Sequence, residues 1–293
     1  MQYLRNLPFQ SCIKAVLFIG AGYYCLPRLR DFFIWKMQPI FLKSHHERIR
    51  SLKLAAFKHL EDLKRDNTCP DDGLLVLELG AADGLNLPEY PPNTELVVVE
   101  PFVGFRQAFD RRMKSINGET VSDSNGLSKQ KLKLRAWYTM NAEQMLDDPA
   151  ASATRIHDVN AECTSVGPIQ DRFDAAVCSF VLCSVTDMEK VLANVTRLVK
   201  PGGLFLLLEH VKPQGFLRNL FCHLIQPLWS FVFRGCHLTR RPDYFLTSKD
   251  HCFNRYWEVV WHSEFRFGSR YSIWPVNSSI ALVVRRQDVP WNS

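Results

Sequence analysis

The sequence predicts a doubly wound, mostly parallel α/β sheet in one main domain, and three observations lead there. Short, nearly uninterrupted apolar runs recur at residues 74–79, 96–99, 132–138, 173–181, 204–208 and 280–284. Runs without polar alternation mark strands covered on both faces. Stretches with apolar residues at helical spacing lie between them, at residues 102–115 and 187–199, and strands alternating with helices build parallel sheets. The 293 residues are 46% hydrophobic and 23% charged, which suits a globular chain with one sizeable core. The domain is placed at residues 67–293, and residues 1–66 form an N-terminal segment ending in a helix.

That N-terminal segment carries the basic excess. Residues 1–66 hold 12 Lys/Arg against 5 Asp/Glu, while the remainder holds 24 against 25. A nucleic-acid enzyme concentrates basic residues on its catalytic body, so no nucleic-acid partner is expected; basic residues beside an apolar segment suit an anionic membrane surface. The apolar segment is "AVLFIGAGYYCLP", residues 15–27, uncharged between Lys14 and Arg28. A span takes about 20 residues. The segment therefore reads as a signal-peptide core, a signal anchor, a helix in the membrane interface, or a helix packed on the domain. Phe32, Phe33, Ile34, Trp35, Ile40, Phe41 and Leu42 follow among basic residues. They favour a membrane-associated protein on the positive, cytosolic side, at the endoplasmic reticulum or a lipid droplet.

The first strand, residues 74–79, ends in Gly80-Ala81-Ala82-Asp83-Gly84. A small-residue turn after a strand marks a nucleotide-binding crevice, and Glu100, 20 positions beyond Gly80 at the end of the second strand, suits a ribose diol. A pyrophosphate requires G-x-G-x-x-G and a helix N-terminus. Here Glu78 and Asp83 would repel it. A ligand with a ribose and a cationic centre fits better, and S-adenosyl-L-methionine is such a molecule.

Along the rest of the chain, Asn141-Ala142-Glu143 follows the third strand, where an adenine could be held. Phe173-Asp174-Ala175-Ala176 opens the fourth, and Lys200-Pro201-Gly202-Gly203 leads into the fifth. Polar residues 117–130 and 147–171 have loop composition. Residues 216–232 place Leu217, Leu220, Phe221, Leu224, Leu228, Trp229 and Val232 at near-helical spacing around Pro227. Such a stripe is ordinarily core, but it sits where an apolar substrate could enter. The nine cysteines show no C-x-x-C pair and are odd in number. They read as reduced, mostly buried thiols, Cys183 and Cys236 included, with no metal site expected.

These residues carry a resemblance to the class I S-adenosylmethionine-dependent methyltransferases. "FDAAVCSFVLCSV", "LVKPGGLFLLLEHV", "PLWSFVFRGCHLTR" and "PEYPPNTELVVVEP" resemble, more narrowly, the methyltransferase-like seven branch of membrane-associated alkyl-thiol S-methyltransferases, over residues 32–285. The polar insertions depart from that branch, as does Ala81-Ala82-Asp83 in place of its Cys-Gly-Thr. The resemblance implies a Rossmann-like sheet of seven strands and S-adenosyl-L-methionine as cofactor. It implies that Glu78, Gly80, Ala82 and Gly84 line the methionine end, Glu100 holds the ribose, and Ala142 and Glu143 flank the adenine. Ser179, Phe180 and Val181 then border the reacting centre. A thiol reacts as its thiolate, and His210, at the end of the fifth strand, is the candidate to take the proton. The expected acceptor is a small lipophilic thiol at a membrane surface. A quinone or phenol acceptor, and a scaffold without activity, remain the alternatives.

Overall fold

The computed structural model describes residues 43, 46–66, 73–118, 120–123, 126–129, 131–147, 172–266 and 278–291. The apolar segment at 15–27 and most of the polar stretch at 147–171 lie outside the described residues.

Helix α1, Arg50–Asp66, comes first. Leu52, Ala56, Phe57, Leu60 and Leu63 recur at three- and four-residue spacing and are all buried, so one face of the helix lies on the sheet. Although the sequence groups this helix with the N-terminal segment, its apolar face belongs to the domain core.

The elements that follow are strand β1, Leu75–Leu79; strand β2, Glu95–Val99; helix α2, Arg106–Gly118; strands β3, Thr120–Asp123, and β4, Gly126–Lys129; and strand β5, Lys133–Tyr138. Strand β6, Phe173–Ser179, helix α3, Met188–Leu198, strand β7, Val199–His210, helix α4, Phe216–Val232, the short helix α5, Tyr244–Thr247, and strands β8, Trp257–Arg266, and β9, Ser278–Arg286, complete the chain.

Seven strands form one sheet in the order β5-β2-β1-β6-β7-β9-β8. The first five are parallel, and β9 runs antiparallel between β7 and β8. Side chains alternate across each strand. Leu77, Leu79, Phe205 and Leu207 accordingly point to the face covered by α3, whereas Val76, Leu204, Leu206 and Leu208 point to the face covered by α1 and α2. Both faces are therefore dry, which explains the uninterrupted apolar runs.

Local chemistry sets the element boundaries. Asp187 caps α3, its carboxylate accepting from the Lys190 N–H at 2.9 Å. One expectation fails. The polar stretch at 117–130 includes the β3–β4 hairpin, with Thr120 opposite Lys129. After β1, the chain makes turns and a single 3-10 segment, Leu87–Glu89, containing Pro88, rather than an α-helix. Chain order reverses between β1 and β6, so their C-terminal ends open the crevice in which α/β sheets bind ligands. No helix among the described residues is long and apolar enough to cross a membrane.

Candidate cofactor and acceptor site

A cavity of about 320 Å³ occupies that crevice. Of the predicted site residues, Gly80, Ala82, Glu100, Ala142, Glu143, Ser179, Phe180 and Val181 line it. Glu78, Gly84 and His210 do not.

Gly80 adopts φ +64°, and a Cβ there would stand 2.3 Å from Val181 Cγ2, so the turns after β1 and β6 approach too closely for any side chain. Ala82 also lies in the left-handed region, at φ +45°. The missing glycine therefore does not change the backbone path; it leaves an alanine in a conformation costing about 1–2 kcal/mol. Gly84, at φ +81°, faces away from the cavity, since a Cβ there would meet Leu87 and Phe109.

Glu100 is held in place by the turn. One carboxylate oxygen accepts from the Ala82 N–H and the other from the Phe102 N–H, each at 3.0 Å. Burial raises its pKa above the ordinary range, while these two donors oppose the rise. Each oxygen keeps a further lone pair, so the carboxylate can accept from a diol. Glu78 serves the site indirectly. It is fully buried, and burial pushes its pKa up to about 7 against hydrogen bonds from Asn86 and Tyr90. Its Oε1 accepts from the Asn86 amide at 2.9 Å, and the same amide nitrogen lies 3.1 Å from Ser179 Oγ. Asn86 lines the cavity, and the sequence reading missed it because it follows the glycine turn without a recognisable spacing.

Opposite, the 142–144 turn is closed by a capping box from Asn141 to Gln144 and held by Asn194, whose amide donates to the Ala142 and Glu143 carbonyls at 3.1 and 3.2 Å. Glu143 Oε1 accepts from the Thr186 N–H at 2.7 Å, joining this wall to the segment after β6. Phe180 adopts φ +59°, unusual for a bulky residue, with its ring edge-on to His46 at 5.5 Å. Glu209 braces the same turn from beneath: its Oε1 accepts from the Val181 and Leu182 N–H groups, both at 2.7 Å.

His210, the candidate proton acceptor, does not line the cavity. It is buried, and its Nε2 lies 3.0 Å from Cys236 Sγ. Cys183 Sγ lies 3.8 Å from the same sulfur. The Cys183 thiol, with His210 beside it, holds Cys236 well below the ordinary thiol range against the opposing effect of burial. The cysteine spacing gave no sign of this gathering; strand and loop geometry alone creates it.

The cavity suits S-adenosyl-L-methionine. It lies at the switch point, and Gly80 opens its floor. Glu100 and Glu143 face a ligand, and no α-helix N-terminus follows β1 to receive a pyrophosphate. Phe102, Phe105, Val185 and Phe233 add apolar wall. Relatives agree with this geometry. Thiol S-methyltransferase TMT1B of Rattus norvegicus is 28% identical over 215 residues, covering 73% of this chain and 72% of the relative. Thiol S-methyltransferase TMT1A of Homo sapiens is 26% identical over 201 residues, covering 68% and 67%. Ubiquinone/menaquinone biosynthesis C-methyltransferase UbiE of Francisella tularensis subsp. novicida is 51% identical over 55 residues, only 18% of this chain and 21% of the relative. Residues 45–246 match the family described as methyltransferase domain. With the strand order, the crevice and its acidic walls in agreement, the chain belongs to the methyltransferase-domain family and is a class I S-adenosylmethionine-dependent methyltransferase.

Proposed function

We propose that the chain methylates small lipophilic thiols at a membrane surface. The observation that carries this reading is α4. Phe216, Leu217, Leu220, Leu224, Leu228 and Phe231 form one exposed row along it, with Leu217 77% and Leu224 71% exposed. An uncovered apolar row of this kind marks a contact surface. Immediately beyond the helix, Phe233 and Arg234 form part of the cavity wall, so an apolar surface leads to the cavity. The two thiol S-methyltransferase relatives support the acceptor class.

The bound cofactor supplies a methyl group on a sulfonium, open to in-line displacement. The chain's residues align and desolvate. Glu100 takes the ribose hydroxyls, the 142–143 turn flanks the adenine, and Ser179, Phe180 and Val181 border the reacting centre. Such alignment supplies about 7–11 kcal/mol of a barrier without a dedicated base. Because His210 is engaged with Cys236, the acceptor enters as its own thiolate fraction, and turnover rises with pH as that fraction grows.

The test is an assay of the purified enzyme with an alkyl thiol, glutathione and a quinol over about pH 6 to 9, where the thiolate fraction rises with pH. The alkyl thiol is expected to be preferred, because an apolar wall does not repay burial of glutathione's ionised groups. Preference for the quinol would overturn the thiol reading. A pH profile that stays fixed when the alkyl thiol is replaced by a more acidic aryl thiol would return the proton to a group of the enzyme.

A further inference from the structure

Three side chains from three separate elements converge behind the cavity. Cys183 lies in the turn after β6, His210 ends β7, and Cys236 follows α4. The sulfur atoms and a ring nitrogen of this group all lie within 4.8 Å of one another, and all three residues are buried. We propose that Cys183, His210 and Cys236 form a binding site for one thiophilic d10 cation, Zn2+ or Cu+.

Geometry and chemistry both support the site. A tetrahedral ion with bonds of about 2.3 Å to sulfur and about 2.0 Å to nitrogen holds its two sulfurs about 3.8 Å apart and its nitrogen about 3.5 Å from each. The sulfurs of Cys183 and Cys236 already stand at 3.8 Å. His210 Nε2 is 3.0 Å from Cys236 Sγ and within 4.8 Å of Cys183 Sγ, so an entering ion would be met by a modest shift of the ring. Two thiolates and one neutral imidazole are a donor set that selects Zn2+ or Cu+ over harder ions. On binding, the protons held by the cluster pass to solvent and two sulfur–metal bonds form, with no change of oxidation state. Two thiolates around Zn2+ sum to zero charge, and such a complex is far easier to bury than any of its ions alone.

The surrounding structure fixes the donors before any ion arrives. The His237 N–H donates to the Cys183 carbonyl at 2.8 Å, tying the two cysteine-bearing turns together. Gln226 donates to the Cys236 carbonyl at 3.0 Å and accepts from the Leu238 N–H at 2.8 Å. Arg240 donates to the carbonyls of Leu182, Cys183 and Val185. The Trp229 indole N–H lies 3.3 Å from Cys236 Sγ, and Ser184 Oγ lies 3.4 Å from Cys183 Sγ, so each sulfur has a polar neighbour of the kind that orients metal ligands.

The experiment uses the full chain, purified with reductant and stripped by chelator. Zn2+ is titrated in competition with a chromophoric chelator, Cu+ in competition with a copper(I)-specific one, and Co2+ serves as the spectroscopic probe. One ion per chain is expected, with a cobalt spectrum showing thiolate charge-transfer bands and tetrahedral intensity. X-ray absorption of the unsubstituted, zinc-loaded chain should show two sulfur neighbours and at least one nitrogen neighbour. Tighter competition by one metal names the native ion. Cys183→Ser and Cys236→Ser should each abolish the charge-transfer bands of the lost sulfur and weaken binding at least about a hundredfold, while Cys222→Ser, on α4 outside the cluster, should leave it unchanged. Calorimetric cofactor binding by each variant confirms that it is folded. The proposal is overturned if the reduced unsubstituted chain takes up no stoichiometric ion. It is equally overturned if absorption shows no sulfur neighbours, or if the two cysteines are recovered as a disulfide in a chain that binds no metal once reduced.

Discussion

Glu100 is a scaffold side chain in the structure and the ribose acceptor in the proposal. Its two oxygens already hold Ala82 and Phe102, so Glu100→Ala removes the ribose acceptor and loosens the turn together. Charge-assisted hydrogen bonds contribute about 1.5–3 kcal/mol each; cofactor affinity measured by calorimetry should therefore fall at least about tenfold. Unchanged affinity in a folded variant would reject the assignment. Ala82 should respond in the opposite sense. Relief of its left-handed backbone, about 1–2 kcal/mol, exceeds the roughly 0.4–1 kcal/mol of extra unfolded-state freedom that glycine brings. Ala82→Gly should consequently raise the urea midpoint; a lower midpoint would show that the alanine methyl contributes packing that outweighs the strain. Glu78 predicts a pH dependence. Its folded pKa of about 7 lies above the ordinary carboxylate value of 4.5, so the folded state binds the proton more tightly than the unfolded chain does. That stabilisation is complete below the unfolded pKa and is lost as pH rises through the folded one, a change on the order of 3 kcal/mol. Glu78→Gln should flatten the stability profile across this window, and an unaltered profile would assign the dependence elsewhere.

At the level of elements, legibility followed burial. Strands β1, β6, β7 and β9 were visible because each is dry on both faces and reads as a continuous apolar run. The β3–β4 hairpin was not, since Val121 and Leu127 are its only large apolar residues and leave no alternation to detect. The stripe on α4 was visible, but its direction was not, because periodicity shows that one face differs without showing whether a partner covers it. The Cys183–His210–Cys236 cluster escaped for a different reason: its members are about 26 residues apart, and only sheet order brings them together. Helix α1 supplies a test of where the domain begins. Phe57 is 2% exposed and packs edge-on against Tyr90 at 5.1 Å, and Lys53 Nζ donates to the Leu85 carbonyl at 2.5 Å, close to the cofactor turn. Phe57→Ala should cost about 3–5 kcal/mol in denaturant unfolding. A cost under about 1 kcal/mol, the range of surface substitutions, would show α1 to be peripheral.

For the whole molecule, charge and apolar surface occupy different places. The basic excess belongs to residues 1–66, whereas the exposed apolar row is on α4. If both meet one membrane, deleting residues 1–30 should shift the protein toward the soluble fraction, and replacing Leu217, Leu224 and Leu228 with Ser should weaken vesicle flotation further. Those leucines are 68–77% exposed, so thermal stability should hardly change. Full flotation of the combined variant would show that neither residues 1–30 nor the α4 row holds the protein to the vesicles. The position of β9 has a consequence in time as well as in space. Among the described residues, every one that lines the cavity precedes residue 235, yet β7 and β8 meet only through β9, which begins at Ser278. A ribosome has therefore produced these cavity residues while the sheet still carries an open edge on β7 and a strand, β8, with no neighbour in that sheet. Unpaired edges recruit other chains. Polypeptides ending before residue 278 should accumulate as aggregates or be degraded rather than work poorly, so a late nonsense codon should be as damaging as an early one.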